Sequence, residues 1–381
     1  MPKIVHIISG LHTGGAETML WRLLKGGNRQ CFDPVVIALM RGGALEEEIR
    51  ALGIPLYHAE MRQGRPSLRA FARIAGFLRQ EKPDVVQGWM VHGNLAALSA
   101  SLLVSPRPRV FWAVHHSLGS FEREKRLTAF LIRLSSSLSA RAEKIVYVSE
   151  VSRRQHERLG FDADRSVMIP NGIDTDLFVP SEAHRISLRE ELNLSAGTLL
   201  IGVMGRFHPQ KNHAGFLHAA RRVIACCPEA RIVFAGSGME PGNEELVSLV
   251  RKSGLEGVVH LLGERRDMAR LNAALDIAVS ASSFGEALSL AVGEAMACAV
   301  PCVVTNVGDN GVLVGSTGVV VRPNDLEALA EGCLSLIRLK SSGRQTLGAS
   351  ARERILRNYA LPMTIRRYEE LYSSCSKGER S

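Results

Sequence analysis

Short apolar runs alternate with helical patterns along almost the whole chain, and this alternation constrains the fold more than any other feature. KIVHIIS, PVVIALM, PLYHAE, DVVQGW, RVFWAVH and KIVYVS read as strands. ETMLWRLLKGG, ALEEEIRALG, SLRAFARIAGFLRQEK and the stretch from Arg126 to Ala142 read as the helices between them. MVHGN reads as a loop before a buried helix, LAALSASLLV. Strand and helix in strict alternation predict a parallel sheet covered on both faces. SVMIPNGIDTDLFVP then breaks the pattern with Pro170, the Asn171-Gly172 pair and Pro180, and reads as a linker. A second alternation follows it. TLLIGVMG, ARIVFAG, VVHLLG, DIAVSAS, PCVVTNVG and GVVVRP are its strands, and TIRRYEELYSS is a final helix.

A chain of 381 residues suits two domains. The expected fold class is therefore α/β, with two doubly wound Rossmann-like parallel-sheet domains facing across a cleft. The boundaries are expected at 1–175 and 176–360, with the helix of 361–381 packing back on the first domain. Ligands of open parallel sheets sit beyond the carboxyl ends of the strands. The residues of interest should then lie just after strands.

Other classes are excluded quickly. Hydrophobic residues at 46% and charged residues at 22% are ordinary for a globular chain. Seven scattered cysteines, with no C-x-x-C pair, argue against a disulfide framework and a structural zinc site, and for a reducing compartment. MPKIVHIISG lacks the apolar core of a signal peptide. The uncharged run Val85 to Pro106 is long enough to span a bilayer but carries Gln87, His92, Asn94 and three serines, so no transmembrane segment is expected. Net charge is +9, and residues 1–180 hold most of it, with 24 Lys and Arg against 17 Asp and Glu. Such a half is either a solvated basic surface or an attractor of anionic partners. Twenty aromatics and no recognition motif speak against nucleic acid.

Three segments carry candidate chemistry. SGLHTGGAE follows the first strand, and Gly14 and Gly15 there form either a plain tight turn or a helix start whose amides face a phosphate. It is not the G-x-G-x-x-G dinucleotide fingerprint. In GRFHPQKN, Arg206 and Lys211 flank a turn, as a surface pair or as two cations converging on one anion. At 4 Å and an effective dielectric of 20, a charge pair is worth roughly 4 kcal/mol. SSFGEALSLAVGEAMACAVP is the most specific of the three. Glu286 falls in the loop after DIAVSAS, Ala287 to Gly293 are expected to open a helix, and Glu294 lies about two turns along it. Two carboxylates beside the anion-binding start of a helix suit a ligand that offers hydroxyls as well as phosphates. His115 and His116 follow RVFWAV; either is a core histidine or a donor to a ligand. The remaining histidines show no metal-ligand spacing. The GSG at Gly236 to Gly238 is either an ordinary turn or one that faces a ligand.

In order along the chain, LHTGGAE, AVHHS, IPNGID, GRFHPQKN, LLGERRDMARLNAALDIAVSASSFGEALSLAVGEAMACAVP and TNVGDNGVLVGSTGVVV resemble the family 4 glycosyltransferases. These are retaining, sugar-nucleotide-dependent enzymes of GT-B architecture. The resemblance covers nearly the whole chain and is strongest over residues 201–325. It implies that Arg206 and Lys211 neutralise a donor diphosphate. It further implies that Glu286 holds the donor sugar's hydroxyls, Glu294 the ribose hydroxyls, and the amides near Ser289 and Leu290 the phosphates. Gly15 would approach the diphosphate, with Gly14 beside it, and His115, or alternatively His116, would stand by the donor sugar. Asn171 and Asp174 of IPNGID resemble the interdomain hinge. Two departures stand out: Ala299 where the family usually has Gly, and Asn306 where it often has Asp. Alanine there matters only if φ is positive.

The resemblance implies a cytoplasmic enzyme moving a hexose from a UDP- or GDP-sugar to a glycan or polyprenyl-diphosphate-linked saccharide in cell-surface polysaccharide synthesis. No nucleophile and acid pair is evident, which favours a front-face route with electrostatic help from Arg206, Lys211 and helix amides. No cofactor and no metal are expected. The basic residues Arg123, Lys125, Arg126, Arg133, Arg141 and Lys144 suit peripheral contact with an anionic membrane at the inner face. The alternatives are another GT-B enzyme such as an epimerase, a non-catalytic sugar-nucleotide-binding protein, and a Rossmann-type oxidoreductase.

Overall fold

A computed structural model describes residues 1–62, 67–119, 121 and 126–376. Arg123 and Lys125 of the expected basic surface lie outside the described residues. The chain forms two compact units, Met1–Gly172 with Leu361–Ser381, and Ile173–Ala360.

The first unit runs β1 (Lys3–Ile8), α1 (Gly15–Gly26), β2 (Asp33–Ala38), α2 (Leu45–Ala51), β3 (Leu56–His58), α3 (Leu68–Glu81), β4 (Val85–Trp89), α4 (Met90–Ser101), β5 (Arg109–Val114), α5 (Arg126–Leu138), β6 (Lys144–Tyr147), α6 (Glu150–Arg158) and β7 (Ser166–Met168). Its seven parallel strands lie in the order β3-β2-β1-β4-β5-β6-β7. Strand β1 shows why the sheet is covered twice. Val5 and Ile7 enter one apolar cluster and Ile4 and Ile8 the other, as the period-2 alternation of a strand requires.

The sequence reading missed in two places here. MVHGN is not a loop: α4 starts at Met90, directly after β4. Gly93 allows it, because a Cβ there would stand 2.4 Å from the Ile7 carbonyl oxygen. And SVM of the expected linker is the edge strand β7, paired with β6 through Val146 and Val167.

The second unit runs α7 (Glu182–Glu191), β8 (Leu200–Met204), α8 (His213–Cys226), β9 (Arg231–Ala235), α9 (Glu244–Lys252), β10 (Val259–Leu261), α10 (Met268–Ala273), β11 (Ile277–Ser280), α11 (Leu290–Ala297), β12 (Cys302–Thr305), α12 (Asn310–Val314), β13 (Val319–Val321), α13 (Leu326–Arg338) and α14 (Lys340–Asn358). Its six parallel strands are ordered β10-β9-β8-β11-β12-β13. In both sheets the order reverses beside the first strand, the doubly wound pattern that puts ligands at the carboxyl edge. The last helix, α15 (Leu361–Ser376), returns to the first unit and buries Tyr368 and Tyr372 in its core. No helix among the described residues is long and apolar enough to cross a membrane.

Candidate functional site

In the second unit, the loops that leave β8, β11 and β12 converge on Glu286. Lys211 follows β8 and a short turn begun by Pro209. Its Nζ lies 2.5 Å from Glu286 Oε1. Ser282 Oγ donates to the same oxygen at 3.0 Å. Glu286 is only 8% exposed. Burial alone would raise its pKa, but the charge and hydrogen bond of Lys211, the Ser282 hydroxyl and the field of Arg206 outweigh it and hold the carboxyl below its ordinary value. Arg206 is exposed just after β8.

Backbone contacts fix this arrangement. The Ser283 N–H donates to the Gln210 carbonyl at 2.8 Å, which ties the lysine loop to the glutamate loop. The Asp309 N–H donates to the Ala287 carbonyl at 2.7 Å. Gly308, at φ +58, comes so near that a Cβ would stand 2.2 Å from the Glu286 carbonyl oxygen. Gly236, of the GSG turn, packs as tightly: its Cβ would stand 1.8 Å from the Gly205 carbonyl, so this turn braces the loop that carries Arg206.

Helix α11 begins at Leu290, not at Ala287 as the sequence suggested. The turn of Ala287 and Leu288 is held by the loop after β12 instead, and Ser289 caps the helix through its side chain on the Val292 amide. Glu294 therefore lies about one turn into the helix rather than two. It is buried. The Ser289 amide is taken by Asn310 Oδ1 at 3.2 Å, so it does not face outward, whereas Leu290, the first helical residue, has no intrahelical acceptor for its amide. Ser282, Gln210, Gly308 and Asn310 were missed by sequence reasoning. The available signal was position, since each follows the carboxyl end of a strand.

In the first unit, Gly14 caps α1 in extended conformation and Gly15 opens the helix. Neither needs a positive φ. The space around a Cβ at Gly15 is open, whereas one at Gly14 would meet the Glu17 carboxylate. His115 and His116 follow β5 but face different neighbours. The His116 ring meets His156 of α6 edge-on at 5.3 Å. The His115 ring lies 5.1 Å from Trp89, tilted by 30°. Burial pushes each imidazole down to about 3; the Asn171 side chain pulls His115 back slightly, and the neighbouring histidine pushes each further down. Both are neutral at physiological pH. Asn171 is buried at the end of this unit, and Asp174, at the start of the other, caps the turn of Asp176 and Leu177. Asn306 donates its backbone N–H to Val321 at the edge of the second sheet. No cluster of metal-ligating side chains occurs among the described residues.

Residues 13–177 match the family model described as Glycosyltransferase Family 4, and residues 198–338 that described as Glycosyl transferases group 1. An Escherichia coli protein named UDP-Gal:alpha-D-GlcNAc-diphosphoundecaprenol alpha-1,3-galactosyltransferase is 25% identical over 341 residues, 86% of this chain and 84% of its own. LpsB of Rhizobium meliloti (strain 1021), a lipopolysaccharide core biosynthesis mannosyltransferase, is 25% identical over 337 residues, 85% of this chain and 90% of its own. The crystal structure of Anabaena Alr3699/HepE in complex with UDP and glucose has the same fold, with a TM-score of 0.86 at 22% identity over 98% of this chain and 100% of that one. The two family models follow one another along the chain in the order of its two parallel sheets, and the protein belongs to the family 4 glycosyltransferases, with their GT-B fold.

Proposed function

We propose that the protein transfers a hexose, with retention of configuration, from a UDP- or GDP-sugar to a glycan or polyprenyl-diphosphate-linked saccharide at the cytoplasmic face of a membrane. The observation that carries this reading is the pair of half-buried Lys211 and buried Glu286 beside the start of α11. A cation and a carboxylate held together, next to a helix start whose Leu290 amide has no intrahelical acceptor, match a donor that brings phosphates and hydroxyls to one place. The names of two relatives agree with it: one is a galactosyltransferase from UDP-Gal to a diphosphoundecaprenol-linked sugar, the other a mannosyltransferase of lipopolysaccharide core biosynthesis.

Each residue has a chemical task in this reading. Lys211 and Arg206 neutralise the diphosphate as charge grows on it, and the Leu290 amide adds the helix terminus. Glu286, kept ionised by Lys211 and Ser282, accepts hydrogen bonds from the donor sugar's hydroxyls. Glu294 holds the ribose hydroxyls. Gly15 leaves room for the diphosphate beside α1, with Gly14 as its cap. His115, neutral, donates to a hydroxyl of the donor sugar. With two cations for the leaving group the reaction needs no metal and no cofactor, and the leaving diphosphate itself takes the acceptor's proton. Arg126, Arg133 and Arg141, exposed on or next to α5, and Lys144 face the anionic membrane that carries the acceptor.

Turnover of Glu286→Ala tests the assignment. Release of UDP from UDP-glucose, or of GDP from GDP-mannose, should fall at least about tenfold, since one hydrogen bond lost from the transition state is worth roughly 1.4 kcal/mol or more. A folded variant with wild-type turnover would place the site elsewhere.

A further inference from the structure

Apart from His115, the aromatic and polar groups around Trp89 have no part in the proposed donor site, yet they are among the most thoroughly buried in the first unit. Trp89 ends β4 and is 0% exposed. The next residue, Met90, has φ +62, a left-handed conformation that non-glycine residues avoid. The strand therefore turns into α4 through a strained elbow, and strain of this kind concentrates where a side chain must be aimed. Three groups hold the indole. Its Nε1 donates to Nδ1 of His6 at 3.2 Å, and burial keeps His6 neutral, with its pKa at about 3, so that it can accept. The ring of Tyr368, from α15, stacks with it at 6.2 Å and 25°. The ring of His115 lies against it at 5.1 Å and 30°. Tyr372, one turn on from Tyr368, anchors the same helix by donating to Gln87 Oε1 of β4 at 2.5 Å.

His115 itself is poorly tethered by polar contacts. Both ring nitrogens are shut off from solvent, and no hydrogen bond of good geometry among the described residues fixes either of them. Asn171 is the polar side chain that acts on the ring. A histidine in this state takes its orientation from what its ring packs against, and a close tilted contact with an indole restricts the turn of the ring plane.

We propose that Trp89 is a positioning residue for His115, and that the C-terminal helix, through Tyr368, holds Trp89 in place. The inference rests on the reading of His115 as the histidine that meets the donor sugar. Trp89 touches no substrate; its effect is on the angle at which the His115 N–H is presented. The C-terminal helix is in this way part of the site in which its own residues take no chemical role.

The test uses the full-length protein and two readouts: steady-state release of UDP from UDP-glucose (or GDP from GDP-mannose, whichever donor is turned over), and the dissociation constant of the free nucleoside diphosphate. Trp89→Leu removes the ring; it should lower kcat at least about tenfold while nucleotide affinity stays within about twofold. Trp89→Phe restores a ring face without the Nε1 donor and should recover kcat to within about threefold of wild type. Tyr368→Leu, which leaves both Trp89 and His115 in the sequence, supplies the folded case should Trp89→Leu fail to fold, and should also lower kcat with nucleotide affinity kept. Wild-type kcat in the folded leucine variants, alongside a loss in His115→Ala, would overturn the positioning role and leave the reading of His115 intact. Wild-type kcat in His115→Ala would overturn both.

Discussion

Ala299 follows α11 at φ +59, where a side chain costs about 1–2 kcal/mol. The turn has no room to relax, because Gly348 of α14 lies so close that a Cβ there would stand 1.9 Å from the Ala299 carbonyl. Glycine at 299 would remove the strain and give back part of the gain through greater freedom of the unfolded chain. Ala299→Gly should therefore raise stability by about 1 kcal/mol and Tm by roughly 2–4 °C, read by thermal melting. A lower Tm would contradict the account of this turn. At the same scale, the sequence singled out Glu286 and Lys211 by their places after apolar strands, and the structure brings the two side chains together. Ser282 and Asn310 were not singled out, since serine and asparagine are ordinary in loops. Only the fold shows that Ser282 reaches Glu286 and that Asn310 takes the Ser289 amide.

At the scale of elements, strands and long helices could be read from periodicity, and their boundaries could not. The start of α11 depended on which loop held Ala287, a contact with Asp309 that lies 22 residues further on. The start of α4 depended on Gly93 fitting against the β1 backbone, and β7 was hidden because a three-residue edge strand carries too little pattern. Helix α5 shows a feature that its charge alone did not. Leu127, Phe130 and Leu134 are 50%, 61% and 38% exposed and share one face, with Arg126 and Arg133 on the same helix and no acidic residue in it. An apolar stripe between cations fits an anionic lipid surface. The protein should float with phosphatidylglycerol vesicles at low salt, and Phe130→Ser should weaken that binding severalfold. Absence of binding at low salt would sink the membrane proposal.

For the whole molecule, burial lowers several imidazoles among the described residues, and most strongly His6, His115 and His116, to about 3, and His156 and His213, to about 4. Their folded pKa values lie below the unfolded value near 6.5. Their contribution to stability is thus complete above about pH 6.5 and is lost as pH falls toward 4, because the unfolded chain takes up protons first. At pH 5 each costs about 2 kcal/mol. Tm should drop steeply between pH 7 and pH 5, before the lowered carboxylates such as Glu286 begin to protonate. A flat Tm over that range would mean that these rings reach water.

In the proposed function, the second unit binds a nucleoside diphosphate through Lys211. The most direct test is the thermal shift of the wild-type protein and of Lys211→Ala with UDP, GDP, ADP and NAD in parallel. Ligand at one hundred times its dissociation constant adds about 2.7 kcal/mol. A clear shift with UDP or GDP is expected in the wild type, naming the donor's base, and a much smaller one in Lys211→Ala. A shift with NAD alone, or an equal shift in both proteins, would contradict the proposed function.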